Sequence, residues 1–113
     1  MYKIVLPHNE TIFLSALERR LYLASNLAFD GYKIVQEGKY KWIIITPQEK
    51  RYTVEYKKGM MTCNCPDAKF RAKKFADGWC KHKLFVLTQT ELDNIVVCSL
   101  LAYPWLTKYL RKI

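Results

Sequence analysis

Cys63-Asn64-Cys65 and Cys80-Lys81-His82 place three thiols and one imidazole in two tight pairs. Soft sulfurs with an imidazole make up the ligand set of a closed tetrahedral zinc site. Two ligands separated by one residue converge on a single ion when the backbone between them forms a knuckle, and Pro66, directly after Cys65, helps to fix that turn. Four protein ligands leave no position for a catalytic water, so the expected cofactor is one structural Zn2+ that staples a loop and does not act as a Lewis acid. Unliganded thiols or another metal are the alternatives. An iron–sulfur cluster would need a cysteine spacing that this chain does not show.

Cations crowd the same stretch. Lys69, Arg71, Lys73, Lys74, Lys81 and Lys83 are opposed there only by Asp67 and Asp77. Basic side chains on a helix held rigid by zinc neutralise backbone phosphates without first ordering flexible arms, which suits sequence-independent affinity. The plainer alternative is that they only solvate the helix. The whole chain carries 19 Lys and Arg against 10 Asp and Glu, a formal net charge of +9 over 113 residues. Three thiolates with one divalent ion lower that by one, which leaves a strongly basic protein suited to polyanions.

Other chemistry is sparse. Tyr40, Trp42 and Ile44 share one strand face, and Tyr52, Val54 and Tyr56 line up likewise. Such a face can stack bases, but Ile43 and Ile45 on the opposite side call for cover on both, so the aromatic row is read as core. Trp79 is expected to shield the metal site. Glycine-rich phosphate loops, a Ser or Cys nucleophile beside a free His, and acidic clusters with two-metal spacing do not occur, so the chain is not expected to be an enzyme. His8 has no ligand partner nearby. Cys98, alone in the apolar run Ile95 to Leu101, is read as a packed small hydrophobe.

The elements that must position these residues form one domain, 1–113, without repeat or linker. Tyr2 and its neighbours, from Met1 to Leu6, suggest a short edge strand. Asn9 or Thr11 can cap a helix from about Ile12 to Phe29, whose Leu14, Leu17, Leu21, Ala24 and Ala28 recur at three- and four-residue spacing and mark a core face; Gly31 ends it. Tyr32 to Gln36, Tyr40 to Thr46 and Arg51 to Tyr56 read as strands of an antiparallel meander, continued by Met60 to Cys63 after the Lys57-Lys58-Gly59 turn. Pro66 and Asp67 suit the first turn of a helix to about Phe75, with Ala68, Ala72 and Phe75 on one face. His82 begins a helix to about Gln89. Thr90-Glu91-Leu92-Asp93 has capping-box form and starts an apolar helix to Tyr103, which Pro104 breaks, leaving Trp105 to Lys112 for a last turn or helix. The fold class is α+β: an N-terminal helix, a three- to four-stranded antiparallel meander, a zinc-stapled finger with short helices, and a C-terminal apolar helix.

Arg51-Tyr52-Thr53-Val54-Glu55-Tyr56, Cys63-Asn64-Cys65-Pro66 and Cys80-Lys81-His82 followed by Leu84 and Phe85 resemble the entering strand, first ligand pair and second ligand pair of the SWIM zinc finger. The resemblance spans roughly residues 51 to 87. It implies Cys63, Cys65, Cys80 and His82 as ligands and a role in contacting DNA or proteins; no ATPase or transposase domain accompanies the finger. Residues and resemblance together lead to the expectation of a zinc-stabilised protein that binds nucleic acid through phosphates, DNA ahead of RNA. The rival is a protein-interaction adaptor, such as a recombination or transcription accessory factor.

Three cysteines assigned to metal leave no pairing for a disulfide framework, so a reducing interior is expected, cytoplasmic or at the nucleoid or nucleus. The N-terminal Ile4-Val5-Leu6 is too brief for a signal-peptide core. Ile95 to Leu106 is shorter than the ~20 apolar residues that span a bilayer, so no membrane partner is expected. Leu92 to Leu106 is instead the last core helix or part of a homodimer interface.

Overall fold

A computed structural model describes residues 1–5, 16–69 and 78–113, with the backbone alone at 16–18, 68, 69 and 105. The described chain is α+β. Its elements are β1 (Tyr2–Ile4), α1 (Ala16–Ser25), β2 (Lys33–Gly38), β3 (Lys41–Ile45), β4 (Arg51–Lys57), β5 (Met60–Cys63), α2 (Pro66–Lys69), α3 (Lys81–Gln89), α4 (Asn94–Leu100), α5 (Pro104–Thr107) and β6 (Leu110–Lys112).

Strands β2 to β5 form the expected antiparallel meander in chain order. Lys58 and Gly59, both at positive φ (53° and 79°), make the β4–β5 connection, the left-handed pair that matches the twist of a two-residue hairpin. Trp42 pairs with Val54 and Ile44 with Tyr52, which sets the apolar side chains of β3 and β4 on one face. That face carries buried Trp42, Ile44 and Val54, so the aromatic row is core. Ile43 and Ile45, on the other face, are only half-buried.

Helix α3 is the centre of the fold. His82 through Leu87 are all buried, and a helix that is covered all round must have neighbours on every side. Helix α1 packs on it through Leu21 and Ala24, β4 and β5 flank it, and Val96 and Leu100 of α4 complete the same core.

Several boundaries differ from the sequence-based expectation. Helix α1 ends at Ser25, not Phe29: residues 26–31 are turns closed by Gly31 at φ 90°, and Ala28 and Phe29 face solvent. Its expected beginning, with Asn9, Thr11, Leu14 and His8, lies outside the described residues, as do Ala72 and Phe75. Thr90 does not start a helix. It ends α3, its hydroxyl donating to the Val86 carbonyl at 2.7 Å, while Asp93 caps α4 by accepting from the Val96 N–H at 3.0 Å. The cause is tertiary: Leu92 bridges Tyr2 and Asp93 accepts from Tyr40 at 2.6 Å, so residues 90–93 stay extended.

Pro104 occupies the first turn of the separate short α5, a position where its missing N–H costs nothing. The chain then ends as a strand and not a helix. Strand β6 pairs antiparallel with β1, Tyr2 opposite Lys112 and Ile4 opposite Leu110, in a second, two-stranded sheet that joins the two ends of the chain.

Candidate metal centre

Hairpin β4–β5 delivers the first ligand pair. Cys63 ends β5 opposite Val54, and the next residue continues the ladder by unusual means. The Asn64 backbone N–H donates to the Thr53 carbonyl (3.3 Å), and its side-chain Oδ1 accepts from the Thr53 N–H at 2.8 Å. This side chain takes the place of a backbone carbonyl, so the strand can turn into a knuckle without leaving Thr53 unpaired. Cys65 is thereby turned inward and buried, and Pro66 and Asp67 open α2. Asp67 is anchored to Arg20 of α1 at 3.1 Å, which ties the knuckle to the helical layer.

The second pair comes from the start of α3. Cys80 sits at the N-cap in extended conformation (φ −83°, ψ 168°), its side chain making no capping bond and so left available to the cluster. Its carbonyl accepts from Leu84 N–H at 3.2 Å, the first bond of the helix. Two residues on, His82 stacks against Tyr52 with ring centroids 4.6 Å apart and planes at 22°, and the Tyr32 ring lies 6.3 Å from the imidazole, centre to centre. A strand residue thus sets the plane of the imidazole.

The structure brings all four predicted ligands together. One donor atom from each of Cys63, Cys65, Cys80 and His82 lies within 4.8 Å of every other, and Nδ1 of His82 is 3.8 Å from Cys63 Sγ. Tetrahedral ligation at ~2.3 Å for sulfur and ~2.0–2.1 Å for nitrogen separates the donors by about 3.6–3.8 Å, so the Cys63–His82 edge already has the required length and the widest edge needs about 1 Å of closure.

The electrostatics agree. Hydrogen bonds to Cys65 and Cys80, with burial, push the Cys63 thiol well above its ordinary range. At Cys80 the interaction with Cys63 lowers the value, yet Cys65 and burial outweigh it and the thiol is pushed up to about 11. Sulfurs packed this closely cannot all ionise unless a cation sits among them. At the same time the backbone N–H of Cys65 favours ionised Cys63, and that of Lys83 favours ionised Cys80, a pattern suited to thiolates. The cluster therefore fits one metal ion held by three sulfurs and one nitrogen.

The basic residues fare differently. Lys69 lies in α2 with its side chain undescribed; Arg71, Lys73, Lys74 and Asp77 lie outside the described residues. Lys81 is half-buried, donating to the Tyr32 hydroxyl at 3.1 Å and lying 5.2 Å from the centre of that ring. Lys83 is buried: its ammonium donates to the Gly78 carbonyl at 2.6 Å and sits 5.7 Å from the Trp79 ring, which ties the loop before Cys80 to the helix after it. Trp79 belongs to the main core, edge-on to Tyr103.

Cys98 is not packing material. It is exposed on α4 between exposed Ile95 and Leu101, because the capped helix turns Val96, Val97 and Leu100 inward instead. Two site features escaped sequence reasoning. Asn64 reads as a spacer until its ladder role is seen, and Tyr52 shows only as one of several alternating aromatics. Comparison with protein-family models, with curated proteins and with solved structures gives no significant match to this chain. Among the described residues no helix is long and apolar enough to cross a membrane.

Proposed function

We propose that this chain is a zinc-stapled, SWIM-like nucleic-acid-binding protein that grips duplex DNA through its phosphates, without catalysis. The observation that carries the proposal is a Cys3His cluster whose four donors converge on one another, in a chain of net charge +9 whose basic run leaves directly from the first ligand pair. A zinc ion bound there supplies cross-linking of the knuckle to α3. Cys63, Cys65, Cys80 and Nδ1 of His82 would hold it, Asn64 shapes the turn, and Tyr52 orients the ring. Among the described residues Asp67 pairs with Arg20 and Glu37 with Lys41, far fewer acids than the chain has cations, which supports a cationic surface available to a polyanion.

Titration with duplex DNA at several salt concentrations tests the proposal. Binding should show little sequence preference and weaken steeply with salt. Replacing Lys69, Arg71, Lys73 and Lys74 with Ala should lower the salt slope by about one unit for each phosphate no longer neutralised. Absence of DNA and RNA binding at low salt by the zinc-loaded protein overturns it.

A second proposal, a protein-interaction adaptor, has one observation in its favour. Ile95 and Leu101 on α4 are 56% and 61% exposed, with Cys98 between them on the surface. An adaptor using this face would keep its protein partner after the quadruple substitution and release it when Ile95 and Leu101 become polar.

A further inference from the structure

A cavity of about 310 Å³ lies against the metal cluster, lined by Cys65 and His82 on one side and by Lys50, Lys81, Tyr32 and Asp67 on others. Its charge is asymmetric. The carboxylate of Asp67 already accepts from Arg20 at 3.1 Å, whereas Lys50 is exposed and Lys81 is steadied only by the Tyr32 hydroxyl and ring. Helix α3 begins at Lys81, so the positive end of its dipole adds to the two ammonium groups, and no acid stands in its first turn.

His82 supplies an independent observation. Its ring is 3% exposed, and its Nε2 has no hydrogen-bond partner among the described residues. Once Nδ1 binds the metal, the ring proton resides on Nε2, a buried donor that lacks an acceptor. Metal-bound imidazoles ordinarily donate this proton to a carboxylate, a carbonyl or water. Here the ring forms part of the wall of a cation-lined cavity.

We propose that this cavity is an oxyanion site that seats one phosphate group, with Lys81 and Lys50 as its charge partners and the Nε2–H of His82 as the donor the anion satisfies. The proposal rests on the nucleic-acid reading for the source of the phosphate: α2 leads from the cavity wall at Asp67 to the basic run, so a backbone phosphate held here would align its neighbours with Lys69 and the residues beyond. It does not rest on that reading for the chemistry of the cavity.

The test uses the full, zinc-loaded chain. Inorganic phosphate is titrated while the Nε2–H signal of His82 and the backbone signal of Lys81 are followed by NMR, and duplex DNA is titrated at several salt concentrations with Lys81→Gln, Lys50→Gln and, as a control away from the cavity, exposed Lys57→Gln. The expected result is a saturable shift of both signals with phosphate, blunted in Lys81→Gln, and a salt slope lower by about one unit in each cavity variant with the control unchanged. Zinc content and thermal midpoint check that Lys81→Gln is not merely destabilised by the missing bond to Tyr32, and Lys50→Gln breaks no such bond.

Signals that do not move with phosphate, or cavity variants that bind DNA as the parent does, overturn the proposal. If those variants bind normally while the quadruple alanine variant does not, the cavity is excluded and DNA binding stands. If phosphate shifts the signals but no nucleic acid binds, DNA binding is excluded and the oxyanion site stands.

Discussion

The chain is closed twice, at its middle and at its ends, by different physics. In the middle, β5 and the start of α3 meet through four side-chain donors that repel or share protons with one another until an ion sits between them. At the ends, β1 and β6 meet through backbone hydrogen bonds that need no side-chain chemistry and no ion. The first closure is strong and conditional, the second weak and unconditional. A small domain can therefore put its stability under the control of a ligand without letting its termini fray when that ligand is lost.

The largest test of that contrast removes the ion. Structural zinc in finger peptides contributes an apparent ~10–16 kcal/mol near neutral pH, as much as or more than the whole stability of a small domain. Chelation, or Cys80→Ala, should abolish metal binding and release amide protection across β4, β5 and α3. Hydrogen exchange and metal analysis read this out, and an unchanged metal content in Cys80→Ala would break the account of the middle closure.

Next in size is the end closure. Lys3 faces Arg111 between the bonded pairs Met1–Ile113 and Val5–Tyr109, so it is a hydrogen-bonded pair by antiparallel alternation. Arg111→Pro removes that donor and should destabilise by up to about 3 kcal/mol, with metal stoichiometry unchanged. Loss of metal in this variant would mean that the two closures are not independent.

A third test falls between them in the structure. Asp93 caps α4 and accepts the Tyr40 hydroxyl proton, and Asp93→Ala should cost about 1–2 kcal/mol in a denaturant titration. The Tyr40 hydrogen bond, with the α4 N–H groups, holds the Asp93 carboxyl below its ordinary 3.8. Because its folded value is depressed, the stabilisation is present above pH 3.8 and is lost as pH falls through the folded value. The same bond pushes Tyr40 from 10.0 up to about 12, so at the alkaline end the contribution is complete below pH 10.0 and fades toward pH 12. Tyr40→Phe should remove both dependences.

The smallest expected effect is that of Cys98→Ser. An exposed side chain outside the cluster should change stability by no more than about 0.5 kcal/mol and leave the metal in place.

The two closures also differ in how far they can be read from residues alone. Cys63, Cys65, Cys80 and His82 announce themselves because ligand chemistry is a property of side-chain type and of short spacing, and the meander is readable because β-branched and aromatic residues alternate between turn residues. The pairing of Tyr2 with Lys112 is hidden. Three-residue strands carry no period, and the partner lies at the far end of the chain. Thr90 misleads for a related reason, since the capping-box pattern is local while the Tyr40–Asp93 bond that shifts the helix start is not. The outward turn of Cys98 follows from that same shift, which rotates the face that α4 presents to the core.

Asn64 has a consequence for which sequences this knuckle tolerates. Its Oδ1 stands in for a main-chain acceptor opposite Thr53, so the position between the two cysteines is not a free letter of the motif. Alanine would leave the Thr53 N–H unpaired, lysine or leucine would do the same with added bulk, and aspartate would keep the acceptor but set another negative charge beside two sulfurs. The vocabulary at this one site is therefore narrow, close to asparagine alone, although the side chain serves the ladder and not the ion.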